Sequence, residues 1–221
     1  MEQKLEIMAR VAKIGPLGNL RGKVGEGVAS KWRNLTVIKS LPAKRTKKQR
    51  KKRLSQQLSL PLVSGFLGKF VHEIKIGFDN RLSKLPAFQT AVKYNFDKAL
   101  LGTFPQFSID YKKVVFSLGD REIAWAGKVV EEGDGARISW EIPQTSKIKL
   151  VGEDIANLVI FNATKDLRPG YEWQVSTRAD LSFYTRIQRD SWGDNLHFWL
   201  FFTSPDGKTR SNSQYMGSIG T

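Results

Sequence analysis

Short apolar segments separated by turn residues fill the second half of the chain. This pattern indicates an antiparallel β fold for that half. Ile138–Ile142 alternates apolar and polar side chains, as a half-buried strand does. Asp206-Gly207, between two apolar segments, is the strongest hairpin signal. Because no helical segment intervenes, we expect residues 103–221 to form an immunoglobulin- or fibronectin-like β-sandwich of about seven strands. The expected strands are Phe107–Tyr111, Val114–Leu118, Ile138–Ile142, Asp154–Asn162, Tyr171–Thr177, Leu181–Ile187, Leu196–Thr203 and Thr209–Met216.

Helical periodicity replaces this alternation in residues 54–102. Apolar residues recur at every fourth position, and Pro61 and Gly65 interrupt them, so we expect a kinked helix or two shorter helices. A second helix is expected over Lys84–Leu101, with Gly102 as the residue that ends it. Together they predict an αα-hairpin that buries its apolar faces, which makes the fold class α+β. The apolar positions are Leu54, Leu58, Leu62, Phe66, Phe70 and Ile74 in the first part, then Leu85, Phe88, Val92, Phe96 and Ala99.

Glycine is frequent in residues 1–53, at positions 15, 18, 22, 25 and 27. We expect an extended ribbon here, with strands Lys23–Lys31 and Thr36–Ser40 joined around Arg33-Asn34. GNLRGK is one residue too short for a P-loop and GEGVAS lacks the third glycine of a dinucleotide loop, so neither is a phosphate-binding loop. The expected divisions are a basic glycine-rich arm (1–53), a helical hairpin (54–102) and a β-sandwich domain (103–221).

Basic residues concentrate at the N-terminal end. Residues 1–60 contain 16 Lys and Arg against 3 Asp and Glu, whereas the remaining 161 residues contain 20 against 18. The net charge of +15 therefore lies almost entirely in one segment. Like charges at this density repel one another unless an anionic ligand lies close by. The densest run comprises Lys44, Arg45, Lys47, Lys48, Arg50, Lys51, Lys52 and Arg53.

A polyanion is the expected partner of that run, and nucleic acid, either DNA or RNA, is the ligand that we expect first. Neutralisation of phosphates by Lys and Arg needs no fine geometry, so little sequence specificity is expected. Accessory contacts are expected from basic residues of the ribbon and from a Trp in a polar turn, because an exposed ring stacks on bases. These accessory residues are Arg21, Lys23, Lys31, Arg33 and Trp192.

Other interpretations of the charge and of the two halves remain open. A structural or assembly subunit, of a virion, a sheath or a surface-associated layer, would use the β-sandwich for protein contacts and the glycine-rich start to add strands to a partner or another copy. Anionic lipid is a weaker candidate, because no Trp or Phe lies between Ala43 and Arg53 to insert into a bilayer. A solvated tail without a ligand is the remaining alternative.

Patterns of catalytic or metal-binding residues are missing from the sequence. His72 is expected on the solvent side of its helix and His197 in a strand as a hydrogen-bonded residue. The absence of Cys excludes thiolate zinc sites and disulfides. Glu131, Glu132 and Asp134 cluster in a Gly-rich turn, which is typical of solubilising residues. We therefore expect no enzymatic activity, no cofactor and no metal.

Two further expectations concern aromatic residues and location. The aromatic side chains of the second half, Trp125 and Trp140 among them, are expected in the core, with Trp192 as the exposed exception. No apolar run reaches transmembrane length and the N-terminus lacks a secretory h-region. A cytoplasmic or intracellular location, with association to an assembly as an option, is therefore expected.

Three stretches of the chain resemble an uncharacterised family of Bacteroidota proteins of about this length. They are Met8–Pro42, with its spaced glycines, Ala87–Asp120 (AFQTAVKYNFDKALLGTFPQFSIDYKKVVFSLGD) and Ser204–Ser218 (SPDGKTRSNSQYMGS). The resemblance implies a helical N-terminal half, a small C-terminal β-sandwich and no assigned activity. The family usually begins at the equivalent of Met8, which makes residues 1–7 an upstream extension or a misassigned start. Lys44–Arg53 is more basic than the mixed segment that the family usually has there.

Overall fold

A computed structural model describes residues 9–11, 21–33, 35–41, 46–79, 85–143, 151–169 and 176–220. Its contacts divide the chain into two compact units, residues 1–52 and 53–221. The boundary falls within the first turns of helix α1 (Lys47–Leu67).

The first unit contains a four-stranded antiparallel sheet. Its strands are β1 (Ala9–Val11), β2 (Gly22–Val24), β3 (Gly27–Trp32) and β4 (Leu35–Ser40), in the order β1-β4-β3-β2. The predicted reversal between the two strands is confirmed, since Trp32 pairs with Leu35 and Arg33 has a φ of 54°, although Asn34 lies outside the described residues. The strand expected over Lys23–Lys31 is instead two strands, because Gly25, at a φ of 58°, turns the chain between them. The glycine-rich ribbon as such stays a prediction, since Gly15 and Gly18 lie outside the described residues.

Helix α1 runs without interruption through Pro61, where a kink was expected. The change of helix type comes later, at a 3-10 turn over Gly68–Phe70, followed by α2 (Val71–Gly77). Val63 and Phe66 of α1 are buried. The expectation that Leu54, Leu58 and Leu62 belong to the buried face is wrong: these three are exposed, whereas Ser59 and Val63, which project from another side of α1, are buried.

Helix α3 (Ala87–Lys98) is shorter than expected at both ends. The amide of Ala99 donates to the Asn95 carbonyl, and the chain then enters an antiparallel hairpin of β5 (Leu100–Thr103) and β6 (Gln106–Ile109). Gly102 therefore serves the hairpin rather than the helix end. It has a φ of 90°, and a Cβ there would lie 2.3 Å from the Gln106 carbonyl oxygen.

Two further antiparallel sheets complete the second unit. Their strands are β7 (Trp125–Glu132), β8 (Gly135–Glu141), β9 (Ile155–Asn162), β10 (Ser176–Thr177), β11 (Ser182–Arg186), β12 (Leu196–Thr203) and β13 (Gln214–Ile219). One sheet has the order β10-β9-β12-β13 and the other the order β11-β8-β7. The fold of the second unit is therefore α+β with antiparallel sheets.

Strand β12 lies at the centre of the second unit, with its whole length buried. Trp199 and Phe201 pack in a core shared with α1, α2 and α3. Phe198 and Leu200 pack in a second core shared with β8. Helices thus cover one face of this sheet and the β11-β8-β7 sheet covers the other, so every β12 side chain meets protein. The immunoglobulin-like assignment stays a prediction.

Two sequence expectations in the β half are wrong. Val114–Leu118 forms no strand, because its backbone is held by side chains: the Val115 amide donates to Asn95 Oδ1 at 2.8 Å and the Phe116 amide to Ser213 Oγ at 2.8 Å. Trp125 is 59% exposed and not in the core. A register shift after Trp125 pairs it with Glu141, an exposed residue of the outer face of the sheet.

Candidate nucleic-acid interface

Residues Lys47–Arg53 of the basic run form the first two turns of α1. Thr46 and Gln49 cap this helix reciprocally: the Gln49 amide donates to Thr46 Oγ1 at 3.3 Å, and the Thr46 amide donates to Gln49 Oε1 at 3.0 Å. The Arg50 amide donates to the Thr46 carbonyl and so closes the first helical turn. A Thr three residues before a Gln is the sequence signal for this start, and sequence reasoning missed it.

Six of the eight predicted site residues lie on these turns, and all six are exposed to solvent. Across the part of the chain that the structure describes, none of the six forms a salt bridge with Asp or Glu. Lys44 and Arg45 lie outside the described residues. The six are Lys47, Lys48, Arg50, Lys51, Lys52 and Arg53.

The positive charges on the first turns of α1 destabilise this end of the helix. The sequence has no Asp or Glu between Glu26 and Glu73, so the helix itself offers no counter-charge. Positive side chains at a helix N-terminus oppose the macrodipole, at about 0.3–1 kcal/mol each. Like charges three or four positions apart each cost about 0.2–0.5 kcal/mol more. Such pairs are Lys47 with Arg50 and Lys51, Lys48 with Lys51 and Lys52, and Arg50 with Arg53.

The basic side chains of these turns project from several sides of α1 and not from one face. Successive residues of an α-helix are rotated by about 100°, so Arg50 and Lys52 project about 160° apart. Lys47 and Lys51 lie between them on a third side. Positive charge therefore projects in several directions around this end of the helix.

The accessory basic residues of the N-terminal sheet are exposed but do not share one face. Lys23 pairs with Val28 of β3, whose neighbour on β4 is Lys39. Side chains of paired residues point to the same side of a sheet, so Lys23 and Lys39 flank Val28 on one face. Lys31, three positions after Val28, lies on the opposite face. Sequence reasoning missed Lys39, which strand register alone reveals.

Two of the accessory basic residues lie next to strands of this sheet rather than within them. Arg21 directly precedes β2, and Arg33 lies in the turn between β3 and β4. Both side chains are exposed. The sheet therefore presents its cations singly or in pairs, in contrast to the continuous run on α1.

Trp192 is 56% exposed, as expected for a Trp in a polar turn, and its indole N–H donates to the Ile187 carbonyl at 3.2 Å. It borders a cavity of about 140 Å³ that is also lined by Glu131, Asp134 and Asp194. A hydrogen bond from the Tyr184 hydroxyl lowers the pKa of Asp134. A hydrogen bond from the side-chain amide of Asn162 lowers the pKa of Asp194, so both carboxyl groups are ionised at neutral pH. Asp134 pairs with Arg186 and Asp194 pairs with Lys165, so the carboxylates beside Trp192 compete with a phosphate backbone for these two cations.

The two histidines occupy different environments. His197 is buried and its Nδ1 lies 2.8 Å from the Tyr215 hydroxyl, which confirms a hydrogen-bonded sheet residue. Burial lowers its pKa from the ordinary value. His72 is exposed on α2. Among the described residues, no three His, Asp or Glu side chains are grouped as a metal site would require.

No helix among the described residues is both long and apolar enough to cross a membrane.

Comparison with known proteins places the chain in a family. No curated protein and no solved structure matches it. A family model matches residues 19–217, a span that includes the N-terminal sheet from β2 onward, the basic turns of α1 and nearly all of the second unit. This span confirms the expectation of a family without assigned activity. The chain belongs to DUF6266, a family of unknown function.

Proposed function

We propose that this protein is a non-enzymatic nucleic-acid-binding protein that holds the phosphate backbone with the basic turns of α1. The observation that carries the proposal is the set of six exposed cations on Lys47–Arg53 without a carboxylate partner among the described residues. Their mutual repulsion and their opposition to the helix dipole are relieved when phosphates bind. Lys44 and Arg45 extend the same run in the sequence.

A helix with charge on several sides suits a groove better than a flat surface. An α-helix with its side chains is about 10–12 Å across, and the major groove of B-form DNA is about 12 Å wide. Cations on opposite sides, such as Arg50 and Lys52, then reach phosphates on both walls. The major groove of A-form RNA is too narrow for side chains to read, so duplex DNA fits this helix better.

The proposal includes little sequence preference and a scaffold role for the second unit. Contacts to phosphate carry no sequence information, and nothing in the run directs a fixed side chain to a base edge. The two packed sheets support an immunoglobulin- or fibronectin-like sandwich as that scaffold. A nucleic-acid ligand implies an intracellular or assembly-associated location.

A gel-shift experiment with two charge-matched variants tests the proposal. The first variant replaces the six basic residues of Lys47–Arg53 by Gln. The second replaces six exposed cations that form no salt bridge among the described residues, and so carries the same change in net charge. These control positions are Lys75, Lys93, Lys98, Lys112, Lys128 and Arg189.

The first variant is expected to lose at least about a hundredfold in affinity for duplex DNA, because each phosphate contact contributes through counterion release. The second is expected to stay within about threefold of the wild type, since its charges are scattered. Equal losses in both variants would mean that only net charge matters, and full binding by the first would reject the proposal. The ratio of absorbance at 260 and 280 nm, before and after nuclease, shows whether nucleic acid co-purifies.

A second candidate function, a structural or assembly subunit, has its own observation. Trp125 and Val130 are 59% and 52% exposed on β7, the last strand of the β11-β8-β7 sheet within the described residues. Exposed apolar side chains on an edge strand are typical of surfaces that pair with another chain. Sedimentation over a concentration series checks this, and an oligomer that Trp125→Ser dissociates is the expected result. A monomer at every concentration would exclude it.

A further inference from the structure

The exposed half of α1 carries a stripe of leucines. Leu54, Leu58 and Leu62 are 50%, 49% and 37% exposed, although each is a large apolar side chain. Residues four apart on a helix differ by about 40° in direction, so the three lie within about 80° of one another. Val63, which packs in the core, projects about 140° from Leu58. Leu54 and Leu58 therefore face away from the side that the core covers, whereas Leu62, about 40° from buried Phe66, lies at the border of that side.

Basic residues continue this stripe toward the helix start. Lys47 precedes Leu54 by seven residues, and Lys51 precedes Leu58 by seven, which is nearly two whole turns of helix. Leucines and lysines therefore share one side of α1. An occupant of this side must offer apolar contact and negative charge together.

We propose that this side of α1, from Lys47 to Leu62, docks on the surface of an anionic lipid bilayer, with its leucines inserted between acyl chains. A bilayer surface supplies both requirements: hydrocarbon for the leucines and lipid phosphates for Lys47 and Lys51. The proposal goes beyond nucleic-acid binding. It shares Lys47 and Lys51 with the proposed nucleic-acid site, but the leucines have no role there, because a phosphate backbone offers them no apolar surface.

Two features of α1 disfavour a second copy as the occupant. Three half-exposed leucines fall far short of the roughly 800 Å² per partner that a stable interface buries. Helix α1 also contains no Asp or Glu, so a second α1 has no group to pair with its lysines and arginines. The basic run contains no Trp or Phe that could insert into a bilayer. The leucines that follow the run supply the inserting side chains instead.

Vesicle flotation tests this inference with the nuclease-treated full chain. The vesicles contain either phosphatidylcholine alone or equal parts of phosphatidylcholine and phosphatidylglycerol. The test variant is Leu54→Gln, Leu58→Gln and Leu62→Gln together. A control with exposed leucines elsewhere is Leu101→Gln with Leu167→Gln. Because all these positions are exposed, neither variant is expected to lower the unfolding midpoint.

The wild type and the control are expected to float with the anionic vesicles and not with phosphatidylcholine alone. The triple variant is expected to bind the anionic vesicles at least about tenfold more weakly, while its affinity for duplex DNA in a gel shift stays unchanged. Each basic residue near the surface strengthens binding about fivefold, so the six-residue Gln variant loses both activities.

Three results would overturn the inference. One is flotation of the triple variant equal to that of the wild type, or no flotation of the wild type at all. Another is an equal loss of DNA affinity in the triple variant, which would assign the leucines to the nucleic-acid site. The last is sedimentation that shows a wild-type dimer and a monomeric triple variant, since a second copy would then cover the stripe.

Discussion

The guanidinium of Arg178 lies over the ring of Phe202, with 3.8 Å between its central carbon and the ring centroid. Arg178 is almost fully buried, and its charge is met by the Asp154 carboxylate at 3.3 Å. Burial lowers the pKa of Arg178, and Asp154 opposes that shift. Asp154 also pairs with Arg121, so one buried carboxylate serves two guanidinium groups.

Asp154→Asn is therefore expected to destabilise the second unit by about 3 kcal/mol or more, because it leaves the buried charge of Arg178 without its partner. Urea unfolding at neutral pH measures the loss. Glu132→Gln is the control, since Glu132 pairs with Arg137 on the exposed surface. The free energy of unfolding is expected to change little in Glu132→Gln and to fall strongly in Asp154→Asn. Equal losses in the two variants would contradict this prediction.

Gly65→Ala and Gly77→Ala are expected to change stability in opposite directions. Gly65 lies inside α1 with nothing within 4 Å of an added Cβ, so the helix gains about 0.5–1 kcal/mol from the better helix former. An added Cβ on Gly77 would lie 2.0 Å from the Phe116 carbonyl oxygen, a clash with backbone that only movement of the chain relieves. Thermal unfolding of both variants checks the two signs, and a gain from Gly77→Ala would refute the close approach.

Stability is expected to fall as the pH drops through the range where an unfolded histidine titrates. Burial lowers the pKa of His197 in the folded protein, so below about pH 6.5 the unfolded chain binds a proton that the folded chain does not. That contribution to stability is fully present above this pH and is lost progressively below it. Unfolding midpoints at pH 7.5 and 5.5 are compared for the wild type and for His197→Gln. The loss between the two is expected to be smaller in the variant, and an identical loss would exclude His197 as the cause.

Trp192→Ser is expected to leave the affinity for duplex DNA within about twofold, although an exposed Trp stacks well on bases elsewhere. The ring borders Asp134 and Asp194, whose carboxylates already pair with Arg186 and Lys165 and so compete with phosphates for these cations. Gel shifts of the variant at low salt check this. A tenfold loss would show that Trp192 takes part in binding despite its neighbours.

The sequence predicts the elements whose pattern has a single physical cause. Leu196–Thr203 has the bounds of β12, because a strand covered on both faces is apolar throughout. Alternation in Ile138–Ile142 marks β8, whose one face packs in a core. Helical periodicity predicts α1, although it does not show how much of the helix the core covers.

The rest depends on contacts between distant residues. Asn95 holds the backbone at Val115, which turns an apolar run into a loop, and no local pattern indicates such a contact. Trp125 is turned outward by a register shift that follows a φ of 47° at Ala126. Of the site, the basic residues are evident from the sequence, whereas the role of Thr46 as their cap and the exposure of Leu54 require the structure.

The salt dependence of DNA binding tests the central claim most directly. The association constant for duplex DNA is measured over a series of salt concentrations for the wild type and for the variant that replaces the six basic residues of Lys47–Arg53 by Gln. If about six cations of α1 contact phosphates, the logarithm of that constant falls with the logarithm of salt at a slope near −5, and the variant loses most of this slope. Equal slopes in the two proteins, or binding that salt does not weaken, would contradict a phosphate-binding helix.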